Sequence, residues 1–216
     1  PSFSIDSLRE IKKFAIGMTS ITAVSLLLVN ADKVILSKLI SLEMFGYYML
    51  ASTLSGSLNQ VIGPVTQAIY PRMVELVTGS KLDELRSIYH RTAQLVTMIV
   101  SPIVVVGVIY SYEIVFLWSA NPELSENVSP LLQILLLGSL FNGLMHVPYN
   151  LQLAYGWTNL TFRVSVIAIL LIIPVLLITV PYFGAIVAAY NWLALNIMFI
   201  IVIIPLMHRR LLVKEM

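Results

Sequence analysis

The 216-residue sequence contains no cysteine, and only 11% of its residues are charged, against about 25% in a typical soluble domain. Without cysteine there is no disulfide frame, no thiolate nucleophile and no Cys-ligated zinc. So little charge on a chain that is 58% hydrophobic excludes an ordinary soluble enzyme. Three stretches lack Asp, Glu, Lys and Arg altogether: Met44 to Pro71, Asn127 to Phe162 and Val164 to His208. Each is longer than the roughly 18 apolar residues that mark a membrane span. Also missing are paired carboxylates suited to sugar transfer, a Gly-rich phosphate loop, and two histidines at metal-ligand spacing. No catalytic activity, cofactor or metal is therefore expected. The basic residues form no patch interleaved with aromatics, so a nucleic-acid partner is not expected either.

What the sequence does contain is a series of apolar runs that predicts an all-α, polytopic membrane protein. Split at charged or turn-forming residues, the runs are Phe14 to Ala31, Tyr47 to Tyr70, Thr92 to Trp118, Pro130 to Tyr155, Val164 to Val180 and Ala185 to His208. These six expected spans form a single six-helix bundle over residues 1–216, with no room for an extramembrane catalytic domain. Continuous apolar runs of this length do not fit the alternating ten-residue strands of a membrane β-barrel. Breaks are expected at Glu43-Met-Phe-Gly46, Asn121-Pro122, Gly156-Trp-Thr-Asn159 and Pro181-Tyr-Phe-Gly184. The sequence opens on Pro1 without a secretory leader, so a segment of a longer protein is expected.

Basic residues near span ends are retained on the cytoplasmic side. An N-terminus inside puts Arg9, Lys12, Lys13, Arg72, Lys81, Arg86, Arg91, Arg163, Arg209, Arg210 and Lys214 in the cytoplasm, leaving only Lys33 and Lys38 outside. Both ends of the segment are thus expected to be cytoplasmic. The 72–91 loop could meet an anionic lipid head group through Arg72, or carry its charge only as a topology signal.

The polar residues inside the spans are patterned. At 100° per residue, Ser52, Ser55, Gly56, Asn59, Gly63 and Gln67 share one face of the second span, with Gln60 at its edge. Such a stripe either packs a neighbouring helix closely or lines a water-filled pathway. The first span ends in Asn30-Ala-Asp-Lys33. Asp32 there is either an interfacial anchor or a cation- or proton-binding group in a cavity. Along the fourth span Asn142, His146, Tyr149 and Asn150 recur at helical spacing, with Gln152 beyond them. His146 is either a proton carrier or a hydrogen-bonding partner for the next helix. Pro64, Pro71, Pro102, Pro148, Pro174 and Pro205 lie in or at the ends of spans, where transporters place hinges.

The run from Asn30 through Lys33 to Ser52, followed in order by Ile69-Tyr-Pro-Arg72, Leu117-Trp118, Leu135-Leu-Leu-Gly138, Pro148 through Trp157 and Met207-His-Arg-Arg-Leu-Leu212, resembles the second half of Wzx-type polysaccharide (O-antigen) flippases. These belong to the multidrug/oligosaccharidyl-lipid/polysaccharide (MOP) exporter superfamily, which includes the MATE transporters. The resemblance covers the chain from about Ile11 to Glu215. It implies a six-helix bundle equivalent to one half of a MATE-like transporter, with an N-terminal companion bundle missing. It also implies a bacterial inner-membrane location and alternating-access transfer of undecaprenyl-diphosphate-linked oligosaccharide to the periplasmic leaflet. Membrane lipids and the polysaccharide polymerase machinery are implied partners. The residues expected to line the substrate pathway are Asn30, Asp32, Lys33, Asn59, Gln60, Gln67, Arg72, Asn142, His146, Asn150 and Gln152, with Asp32 and His146 as candidates for a coupling ion. Two other readings stay open: a cation-coupled multidrug or small-molecule antiporter of the same superfamily, and a non-transporting scaffold subunit of a polysaccharide assembly machine. A membrane-embedded polymerase would need a large catalytic outer loop, and the longest expected one is only Ser119 to Ser129.

Overall fold

The computed structural model describes residues 5–211, without the side chains of residues 5–11, 13, 14 and 17. Lys214, counted above with the cytoplasmic charges, lies outside the described residues, as do the side chains of Arg9 and Lys13. Every regular element among the described residues is helical: α1 (Ile5–Leu39), α2 (Leu42–Gly56), α3 (Leu58–Thr78), α4 (Leu82–Ile109), α5 (Ser111–Ser119), α6 (Pro122–Ala154), α7 (Asn159–Phe183) and α8 (Ala185–Leu211). Five of them contain stretches long and apolar enough to cross a bilayer: Met18–Leu39, Leu82–Ile109, Pro122–Ala154, Asn159–Phe183 and Ala185–Leu211.

Five helices among the described residues thus qualify by length and composition, and the expected count of six is not reached on that measure. The second expected span, 47–70, is divided at Gly56 and Ser57. Ser57 turns its hydroxyl back onto the Leu54 carbonyl at 2.6 Å, and its N–H is shared between the Thr53 and Leu54 carbonyls. Competition of this kind between side chain and backbone loosens a helix. The chain stays right-handed through Ser57, so the break is a joint and not a reversal. Beyond it α3 carries Asn59, Gln60, Gln67, Arg72 and Glu75, which set it apart from the long apolar helices. The third expected span, 92–118, is likewise two helices, joined at Tyr110.

The first break also moves. Helix α1 runs to Leu39, and Glu43 to Gly46 lie inside α2. The stop comes from Ser41, whose hydroxyl accepts the Met44 N–H as an N-cap. Asn121 caps α6 through the Leu124 N–H at 3.2 Å, with Pro122 at the first helical position. The turns at Gly156 and Gly184 fall as expected, with φ of 64° and 68°, a region closed to most side chains.

Helix α6 is the axis of the fold, packing against α2, α3, α4, α5 and α8, while α7 bridges α8 and α1. Its 33 residues extend about 50 Å at 1.5 Å per residue. Nearly half of its residues are buried, including Leu131, Leu132, Leu135, Val147 and Leu151. Glycines permit the close approaches: a Cβ on Gly138 would come within 2.4 Å of the Trp192 ring, and one on Gly143 within 2.5 Å of the Ile62 tip. At one end of the bundle, Tyr89 of α4 pairs with His208 of α8 at 3.0 Å. There Arg210 also stacks over Trp157, 4.4 Å from the ring centre.

Gly138→Ala should lower stability by about 1–3 kcal/mol, because the new methyl meets both an indole and the Leu193 backbone. Gly46→Ala, with nothing within 4 Å, should be neutral or gain up to about 1 kcal/mol from helix propensity. Thermal unfolding of the two variants in one detergent checks the contrast.

Candidate substrate cleft

The polar face of α2 and α3 does not meet another helix along its length; it faces an open cleft. Ser52, Ser55, Gly56 and Asn59 line one lobe, together with Asp32, Lys33, Tyr48, Ser139 and Asn142. Asn59, Gly63, Thr66 and Gln67 line a second lobe of about 1620 Å³ up to its open mouth, opposite Thr22 and Ser25 of α1 and His146, Tyr149, Asn150 and Gln152 of α6. Val29, Asn59, Asn142 and Trp192 line both lobes. The two lobes therefore adjoin, and these four residues form the waist between them.

Asp32 is brought into the first lobe by the α1–α2 hairpin, where the wholly buried Tyr48 donates its hydroxyl to the Asp32 Oδ2. Lys33 does not neutralise it directly; its ammonium bonds back to the Val29 carbonyl at 3.2 Å. The other oxygen, Asp32 Oδ1, is buried without a hydrogen-bond partner, as is the Asn191 Nδ2. Both residues border a further small cavity walled by Leu28, Ile172, Leu176, Ala188, Trp192 and Leu195.

The second lobe is built on amides. Asn142 donates to the Asn196 Oδ1 at 2.9 Å, and Asn196 donates in turn to the Trp192 carbonyl at 2.8 Å. Asn150 reaches across to the Thr66 carbonyl at 3.0 Å. Thr161 donates to the Gln152 Oε1 at 2.8 Å, leaving the buried Nε2 of Gln152 unpartnered. No Asp, Glu, Lys or Arg is among the residues lining this lobe; its amides, hydroxyls and the His146 imidazole are interspersed with an apolar wall that includes Ile21, Leu26, Met145, Leu195, Phe199 and Ile203. Among the described residues no group of three His, Cys, Asp or Glu is arranged to hold a metal ion.

Of the residues expected on the pathway, Asp32, Lys33, Asn59, Gln67, Asn142, His146, Asn150 and Gln152 line the cleft. Three do not. The Asn30 amide bonds back to the Leu26 carbonyl on the exposed side of α1, and Gln60 is exposed and lines neither lobe. Arg72 is held by Glu75 at 2.6 Å and Glu84 at 3.0 Å. Hydrogen bonding to this guanidinium keeps the Glu75 carboxyl below its ordinary range. The lining residues that the sequence reading missed are Tyr48, Thr66, Thr161, Ser165, Trp192 and Asn196. Trp192 and Asn196 had a signal, since they sit at i and i+4 in an otherwise apolar run. Tyr48 had none, because nothing local ties it to Asp32.

A profile of the family described as "Polysaccharide biosynthesis protein" matches residues 1–121. Over 175 residues the chain is 22% identical to a Shigella flexneri protein named "Putative O-antigen transporter", covering 81% of this chain and 41% of that protein. Two solved structures superpose with a TM-score of 0.71 at 17% identity: an outward-facing multidrug resistance MATE family transporter of the MOP superfamily, and a MOP superfamily transporter from Pyrococcus furiosus. Each alignment takes in 95% of this chain and 45% of the other. The chain thus has the MATE-like fold and spans less than half the length of the relatives it matches.

Tyr48→Phe should destabilise the protein by about 1–2 kcal/mol, since it removes the donor to a largely buried carboxylate. In an Asp32→Ala background the same change should cost much less. A double-mutant thermal unfolding cycle measures the difference, and additive effects would remove the coupling.

Proposed function

The chain belongs to the polysaccharide biosynthesis protein family, and from that membership we propose that it forms one half of a flippase for undecaprenyl-diphosphate-linked oligosaccharide. The observation that carries this reading is the pair of adjoining lobes, whose amides and hydroxyls are set in a partly apolar wall. A glycan and its diphosphate cannot cross hydrocarbon without losing their hydrogen bonds to water. The cleft offers replacements to the sugars, and the prenyl tail stays in lipid. A companion bundle facing the cleft completes the cavity, and rocking of the two halves about the central site moves the head group from the cytoplasmic to the periplasmic leaflet. This is transport and not catalysis, in keeping with the names its relatives carry. The polymerase machinery of the same polysaccharide is the natural recipient of the product.

Asp32 is the proposed coupling group. Its support is the buried oxygen left without a partner beside Asn191, and His146, further along the cleft, is the alternative. Export of cationic drugs, which the MATE-like fold also accommodates, fits less well. Among the described residues, the one carboxylate lining the two lobes, Asp32, already accepts the Tyr48 hydroxyl, and the larger lobe has none.

Expressed in a bacterium lacking its own O-antigen transporter, the natural gene product should restore surface polysaccharide. Asp32→Asn should reduce the restored amount by about an order of magnitude if coupling is lost, with the level of protein in the membrane unchanged. Undiminished polysaccharide would remove Asp32 from the mechanism. The proposed orientation, both ends of this segment cytoplasmic, is read from single cysteines in the cysteine-free chain. A membrane-impermeant maleimide should label Glu123→Cys in intact cells and Asp83→Cys only after permeabilisation, and the reverse pattern would invert the topology.

A further inference from the structure

Trp192 occupies a position shared by no other aromatic side chain lining these cavities. It borders the Asp32–Tyr48 lobe, the larger His146–Asn150 lobe and the small cavity beside Asn191. It does so because the pyrrole edge of the ring lies against Gly138 of α6, where any side chain would collide with it. Its backbone is fixed from the other side by the amide chain from Asn142 through Asn196 to the Trp192 carbonyl. The indole is therefore rigidly mounted, half-buried, and set at the waist of the cleft with Asn59 and Asn142.

An elongated polar ligand that occupies both lobes must pass this waist. None of the four residues lining both lobes is charged, so the waist has no cation to balance a phosphate. A pyranose ring fits its chemistry. One face of the sugar carries C–H groups of partial positive charge that settle on the negative face of an indole, while its equatorial hydroxyls reach flanking amides.

We propose that Trp192 is the stacking platform of a sugar subsite, which holds one uncharged hexose or N-acetylhexosamine unit between the amides of Asn59 and Asn142. This rests on the flippase reading above and adds to it the part of the substrate that this bundle recognises. The diphosphate is held elsewhere, and Trp192 discriminates among lipids by their glycan.

The test is equilibrium binding of two lipids to the purified natural gene product in nanodiscs: undecaprenyl diphosphate bearing one oligosaccharide repeat, and bare undecaprenyl diphosphate. Trp192→Ala should weaken binding of the glycosylated lipid about three- to tenfold, the range of a lost aromatic contact, and leave the bare lipid unchanged. Trp192→Tyr should retain most of the affinity. Trp192→Leu, which keeps apolar bulk against Gly138 without a π face, repeats the measurement if the alanine variant fails to accumulate. Equal loss for both lipids, or no loss for either, overturns the platform. A wild-type protein that binds the two lipids equally also overturns it but leaves lipid transport standing. A wild-type protein that binds neither removes the flippase reading, and the platform with it.

Discussion

Hydrocarbon supplies no hydrogen bonds, and the architecture follows from that one condition. Each backbone N–H and C=O crossing the bilayer must be satisfied within the protein, which leaves helices as the solution for an apolar chain of this kind. The same condition acts on side chains. Asn142, Asn150, Gln152, Thr161 and Asn196 are all in hydrogen bonds to one another or to backbone carbonyls, and all five line the wider lobe. Thr22, Thr53, Thr97 and Thr179, on more exposed surfaces, turn their hydroxyls back onto their own helices.

Much of this could be read from the residues. Uncharged runs located the long helices, Gly156 and Gly184 located the reversals, and the Ser52–Gln67 stripe marked the face that borders the cleft. Helical spacing works here because it depends only on the 3.6-residue repeat. The division at Ser57 was not legible, because it depends on a hydroxyl choosing a backbone acceptor in a segment that otherwise reads as one apolar run. Nor was the start of α2: Glu43 and Gly46 look like terminators, yet the stop is the Ser41 cap two residues earlier. Arg72 illustrates a different difficulty. A basic residue beside a span is equally compatible with substrate and with a neighbouring carboxylate, and only the α3–α4 hairpin, by delivering Glu84, decides between them.

The cleft joins two electrostatic environments. Its narrower lobe contains a carboxylate and an ammonium, with Tyr48 engaged on the carboxylate. Its wider lobe is lined without any charged side chain. The wider lobe therefore meets what enters it through hydrogen bonds and apolar contacts, without a fixed charge from Asp, Glu, Lys or Arg. The bundle supports this with a deeply buried axis and a firm end, where Tyr89, His208, Trp157 and Arg210 hold α8 to its neighbours.

The contact between Gly138 and Trp192 has a consequence on an evolutionary scale. With the indole in place, every replacement at 138 collides with it, so position 138 is frozen. Once 192 becomes a smaller residue, the vacated space admits a methyl or more at 138, and such a change then blocks the return of tryptophan. The pair behaves as a ratchet between lineages. Homologues should divide into those that keep glycine with a large aromatic and those that keep neither, with the mixed combination of a side chain at 138 and tryptophan at 192 absent.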